Sequence, residues 1–178
     1  MSILDPKQPS AGEYPSYYAP YVALAPTSNL IEALEEQGRA LSQRWSELPA
    51  AACAFAYAEG KWSVAELIEH VVDIERVFSY RAMCFLRGLS DEQPGVDQNI
   101  MAANSAANER GLASLGAEFL HQRLSNVELF RHLDESQYDR GGRASGVEFS
   151  VRSIPSILYG HAAHHDAVLE ERYAGKWA

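Results

Sequence analysis

Apolar residues recur at steps of three and four along several stretches of the chain, and such steps return to one face of a helix. From Thr27 or Ser28 as N-cap, Leu30, Leu34, Leu41, Trp45 and Leu48 keep this spacing until Pro49 stops the run. Ser63 with Glu66 three residues later has the pattern of a capping box, and Leu67, Val71, Ile74, Phe78 and Phe85 carry a second helix to a stop at Gly88. Ser90 to Asn99 contains Pro94-Gly95 and reads as a loop. A third helical segment is predicted from about Ile100 to Leu133, with Gly111 and Gly116 as candidate breaks. Tyr138 to Ser150 holds Gly141, Gly142 and Gly146, followed by alternating Val147, Phe149 and Val151, which predicts a tight loop with at most a short strand pair. The last helix is predicted from near Ser153, with Pro155 tolerated in its first turn, to about Tyr173 before Gly175.

Ahead of these elements, Pro6, Pro9, Pro15, Pro20 and Pro26 exclude a long helix, while Tyr14, Tyr17, Tyr18 and Tyr21 offer rings to pack across other elements. Residues 1–26 are therefore expected to form an extended N-terminal segment lying on the rest. Residues 27–178 are expected to form a single domain, consistent with a chain of 178 residues. Four amphipathic helices without a convincing sheet predict an all-α fold, a four-helix bundle.

Composition narrows the partners. The formal charge of −9 repels phosphate backbones, and no Lys/Arg run compensates, so nucleic acid is not an expected partner. No apolar run approaches the roughly 20 residues of a membrane-spanning helix. The first ten residues, with Asp5, Lys7 and two prolines, have neither the basic nor the apolar region of a signal peptide, so a cytoplasmic location is expected. Cys53 and Cys84 lack metal-site spacing and are expected to be reduced thiols.

The candidate chemistry lies in the histidines. In the last helix, Ile154, Ile157, Leu158, His161, His165, Val168 and Leu169 share one stripe, so two imidazoles interrupt a core-facing surface. In the second helix, Leu67, His70, Ile74, Val77 and Arg81 follow the same rule, so His70 also points inward. An i,i+4 pair lets two ring nitrogens meet one ion, and a third ligand from another helix would leave positions open for water or substrate. Nitrogen ligation suits zinc, nickel, iron or copper without choosing among them. His164 lies about 60° to one side of His161 and His165 about 40° to the other, so the stripe alone also permits an i,i+3 pair. His121 and His132 share a face of the third segment, but Gln122, Arg123, Arg131 and Asp134 around them predict a solvated surface. Asp73, Glu75 and Arg76 read as a charged outer face. Arg81 falls within about 20° of the His70 direction three turns on, and is a candidate cation for an anionic substrate. Asp73 or Glu69 is a candidate acceptor for the second ring N–H of a ligating imidazole.

Three stretches together, KWSVAELIEHVVDIERVFSYRA at Lys61 to Ala82, PGVD at Pro94 to Asp97 and YGHAAHHDAVLEERY at Tyr159 to Tyr173, resemble the DinB-like family of four-helix metal-binding proteins. The resemblance spans about Tyr18 to Tyr173. It implies an up-down-down-up bundle and a divalent ion held by the histidine of helix two and by the first and last of the H-x-x-H-H array, here His70, His161 and His165. Nickel or zinc is the implied metal, with iron as a further option, and a homodimer the implied assembly. Members of such a family include thiol-dependent S-transferases and isomerases using bacillithiol or mycothiol, and many have no assigned reaction. The expected function is a metal-dependent enzyme acting on a small molecule, by thiol S-transfer or hydrolysis. A low-molecular-weight thiol is a candidate cosubstrate. His164, outside the implied ligand set, is a candidate proton carrier, with Arg81 as the other candidate catalytic residue. The alternative is a non-catalytic, metal-stabilised structural or stress-response protein.

Overall fold

A computed structural model of the chain describes residues 4–89 and 91–177. Ser90, the first residue of the expected loop, residues 1–3 of the expected N-terminal segment and residue 178 of the expected single domain lie outside them. The architecture is a four-helix bundle with one two-stranded hairpin.

The N-terminal segment makes a 3₁₀ turn at Ser16–Tyr18 and a single helical turn, α1 (Ala19–Val22), with Pro20 in its first turn, where a missing N–H does no harm. The first long helix, α2 (Leu30–Ser46), does not use Thr27 or Ser28 as its cap. Asn29 enters it with φ of 55°, and the Leu30 N–H donates to Asp5 Oδ1 at 2.7 Å. The cap thus comes from a carboxylate 25 residues upstream, which a local pattern does not reveal. After a short 3₁₀ turn at Ala50–Ala52 comes α3 (Val64–Leu86), whose capping box forms as expected. The Glu66 N–H donates to Ser63 Oγ at 3.1 Å and the Ser63 N–H to Glu66 Oε2 at 2.7 Å.

The stretch expected as one third helix divides into α4 (Gln98–Ala103), α5 (Ala107–Arg110) and α6 (Leu112–Arg131). Asp97 of the PGVD sequence caps α4, accepting from the N–H groups of Asn99 and Ile100. Gly111, at φ of 81°, makes the break. Gly116 breaks nothing: a Cβ there would lie 2.9 Å from the Ser42 carbonyl, so glycine allows α2 and α6 to approach closely. A further turn, α7 (Glu135–Tyr138), precedes the hairpin of β1 (Gly141–Ala144) and β2 (Val147–Ser150), paired antiparallel with Gly141 opposite Ser150. Positive φ at both Ser145 and Gly146 suits a tight two-residue hairpin loop. The chain ends in α8 (Ser153–Val168), which widens into a π-helical turn over Leu169–Tyr173.

Around the bundle the long helices run α2, α6, α3, α8, so that α2 and α3, consecutive among the long helices, sit diagonally opposite. One apolar cluster gathers about Phe78, Phe130, Phe149 and Ile154, and a second about Trp45, Ile68, Leu115 and Phe119. Among the described residues, no helix is long and apolar enough to cross a membrane.

A polar network lies at the level between the two clusters. Glu75 of α3 and Arg123 of α6 are 1% and 0% exposed and join at 2.6 Å. Arg123 also donates to Gln37 Oε1 at 2.7 Å and to the carbonyls of Leu34 and Leu158, while Asn126 donates to Glu75 Oε2 at 2.7 Å. Reading Glu75 as outer face and Arg123 as part of a solvated surface is thereby corrected. Both occupy the inward stripes of their helices, Glu75 between Val71 and Phe78 and Arg123 between Phe119 and Val127, and each supplies the partner that makes burial of the other tolerable.

Candidate metal centre

His70 stands in the second turn of α3 and His161 and His165 one turn apart on α8. Because α3 and α8 are neighbours in the bundle, their inward stripes meet and the three rings converge. One candidate ligand atom from each lies within 4.8 Å of the others. The ring centroids are 5.0 Å apart for His70 and His161, 4.8 Å for His70 and His165, and 4.5 Å for His161 and His165. His70 Nε2 faces His161 Nε2 at 3.2 Å. Two nitrogens bound tetrahedrally at zinc distances would stand about 3.3 Å apart, so this pair already has the spacing of two ligands on one ion.

The electrostatic setting favours neutral rings. Burial lowers the pKa of His70 to about 4. Burial, followed by the proximity of His70 and His164, lowers that of His165 to about 3. His161 is pushed well below its usual value, first by burial and then by the surrounding imidazoles and Arg123. Neutral imidazole is the form that ligates metal. His165 Nδ1 is buried without a protein hydrogen-bond partner, an expensive arrangement for a polar atom unless a bound species completes it. The donor set and the orphaned nitrogen both fit a divalent ion.

Aromatic rings hold the histidines in place. Trp62, just before the Ser63 cap, lies 4.8 Å from the His70 ring, and Tyr21 of α1 packs edge-on against His161 at 5.5 Å. Tyr21 reaches this position because residue 160 is glycine: any Cβ there would run into the Tyr21 carbonyl. Neither Tyr21 nor Trp62 is expected at the centre from the sequence. An aromatic residue directly before a helix cap was the available clue for Trp62, whereas nothing local announces Tyr21.

The sequence model described as the DinB superfamily matches residues 33–169, which include all three histidines. This chain belongs to the DinB superfamily. No curated protein sequence matches it. Among solved structures it is similar to YfiT from Bacillus subtilis, described as a probable metal-dependent hydrolase with an unusual four-helix bundle topology. The TM-score is 0.69 over 93% of this chain and 91% of that one, at 16% identity, a level at which the likeness concerns the fold.

The other expected site residues fall at different distances from the centre of this DinB-superfamily chain. His164 is exposed, with its ring 5.1 Å from that of His165 and 5.3 Å from that of Tyr21. It joins His165, Lys61, Trp62 and Asn99 in lining an open cavity of about 300 Å³. Arg81 is not brought to the histidines. Eleven residues beyond His70, it lies roughly 16 Å further along α3. Its buried guanidinium packs over Phe78 and Phe149 and donates to the Pro94 carbonyl and Ser145 Oγ, both at 3.0 Å, tying the PGVD loop to the hairpin. Glu69 and Asp73 share a small cavity of about 10 Å³ with His70, room for one water. They accept from arginines instead, Glu69 from Arg110 and Asp73 from Arg76, and Glu69 Oε2 is buried without a partner. His121 and His132 are both exposed.

Proposed function

We propose that this protein holds one divalent metal ion, nickel or zinc and alternatively iron, through His70, His161 and His165, and that it is an enzyme acting on a small molecule by hydrolysis or thiol S-transfer. The observation that carries the proposal is the 3.2 Å approach of two buried imidazole nitrogens, completed by a third ring within reach of the same point. A divalent ion held by three neutral nitrogens supplies Lewis acidity, the property that makes water or a thiol a nucleophile near neutral pH.

The chain's own residues supply the remainder. Trp62 and Tyr21 hold the rings of His70 and His161 in orientation. Their bulk and the burial of both histidines limit water on the inner side of the centre. His164, beside His165 on the cavity wall, can accept a proton from an attacking group and return it to a leaving group. The cavity supports catalysis over a purely structural role, since a metal that only stapled α3 to α8 needs no such opening. A homodimer, the assembly implied by the family resemblance, located in the cytoplasm, completes the reading.

Metal analysis of the purified protein is the primary test. The expected result is one divalent ion per chain, lost together with turnover in His161→Ala, while His164→Ala keeps the ion and loses turnover. A panel of ester and amide hydrolysis and of thiol addition to small electrophiles separates the two reaction types. Protein that carries no stoichiometric metal and takes up none, or a coordinatively saturated ion sealed from solvent, overturns the proposal.

A further inference from the structure

The cavity beside the centre has a charge pattern opposite to that of the chain as a whole. With 24 acidic against 15 basic side chains, a random patch of this surface is expected to include a carboxylate. The cavity of about 300 Å³ has none in its lining and has one formal cation, Lys61. Glu66, Glu69 and Asp73 line instead the small cavity of about 10 Å³ against His70.

Lys61 also differs from the other lysines of the chain. Lys7 pairs with Glu135, and Lys176 donates to the Arg172 carbonyl. Among the described residues Lys61 has no carboxylate within salt-bridge distance and no side-chain hydrogen bond. Lys61 is exposed at the cavity, and its ammonium, free of an internal counter-charge, is available to an anionic ligand there. The aromatic part of the lining, Tyr57, Trp62 and Tyr173, is preassembled. Tyr57 meets Tyr173 edge-to-face at 4.9 Å, and the Tyr173 hydroxyl donates to the Trp62 carbonyl at 2.9 Å. Asn99, set at the rim by the Asp97 cap of α4, adds an uncharged amide.

We infer that the cavity takes a small carboxylate with a flat apolar body, its charged end bound by Lys61 and its body laid against Tyr57, Trp62 and Tyr173. The inference names the substrate class of the proposed metal site and in that respect rests on the function proposed above; the part played by Lys61 is independent of the ion. Neutral imidazole ligands would leave the charge of a divalent ion uncompensated, so ion and lysine favour the same sign of ligand.

The test is calorimetric titration of the protein as purified, and again after chelation, with phenylacetate and with its uncharged analogue phenylacetamide. Phenylacetate is expected to bind at least about tenfold more tightly, the worth of one charge-assisted hydrogen bond. Lys61→Ala is expected to erase most of that preference and Lys61→Arg to retain it, both with metal content equal to that of the original protein. Equal binding of the two probes, no phenylacetate binding at millimolar concentration, or an undiminished preference in Lys61→Ala overturns the inference. A lysine-dependent preference in protein that binds no metal would overturn the metal proposal and leave this one standing, whereas bound metal without the preference would do the reverse.

Discussion

Two buried polar clusters connect the long helices of this bundle, and they differ in how completely the protein satisfies them. In the Glu75–Arg123 network each charge has its counter-charge, and Asn126, Gln37 and two backbone carbonyls complete the hydrogen bonding. In the histidine cluster, among the described residues, no carboxylate stands among the three rings and one buried nitrogen has no partner, while Nε2 atoms of His70 and His161 face one another. Both clusters bear the desolvation penalty of polar groups in a core. Only the first recovers it from within the chain; under the proposed function, a bound ion recovers it for the second.

The comparison can be broken most forcefully at Arg123. Arg123→Ala leaves the Glu75 carboxylate buried and unpaired, and is expected to destabilise the fold by about 3–5 kcal/mol, read by urea or thermal unfolding. A change within experimental error would show that water reaches the network. Chelation should act on the other cluster alone. With metal at 100 to 1,000 times its dissociation constant, its removal is expected to lower unfolding free energy by about 3–4 kcal/mol, and excess metal to restore it. Insensitivity to chelator would remove the contrast between the clusters.

The metal-free protein should also be acid-sensitive in a defined window. Folding holds His70 and His165 near pKa values of about 4 and about 3, against 6.5 when exposed, so between these values the unfolded chain binds more protons than the folded one. Stability is therefore complete above about pH 6.5 and falls as pH drops toward 4. Unfolding followed from pH 8 to 4, with His70→Leu flattening the profile, checks the sign. A smaller effect is expected at Gly160→Ala, where the new methyl group displaces Tyr21: about 1–3 kcal/mol of stability, with metal held less tightly because the ring beside His161 moves. Unchanged affinity there would mean that Tyr21 does not orient the ligand.

How far these features could be read in advance depended on their range in sequence. The second helix with its capping box, the last helix with Pro155 in its first turn and the hairpin before it all follow from residues within a few positions of one another. The inward direction of His70, His161 and His165 follows from the helical period in the same way, although the stripe alone left His164 open as a ligand. The third segment was harder to read. Gly111 and Gly116 look alike in the sequence, yet the first adopts positive φ and ends a turn while the second lies within α6 against α2.

The sequence by itself thus determined the second and last helices, the hairpin between the third segment and the last helix, and the inward direction of the three histidines, because backbone periodicity and capping are local and act before any tertiary contact exists. Only the tertiary structure decided the pairing of Glu75 with Arg123 across 48 residues, the capping of α2 by Asp5, the removal of Arg81 to the hairpin end and the bringing of Lys61 and His165 to the lining of one cavity. A charged residue on a helix is buried or solvated according to whether a partner from another helix reaches it, and the diagonal placement of α2 and α3, a property of the assembled bundle, determines which helices can supply one.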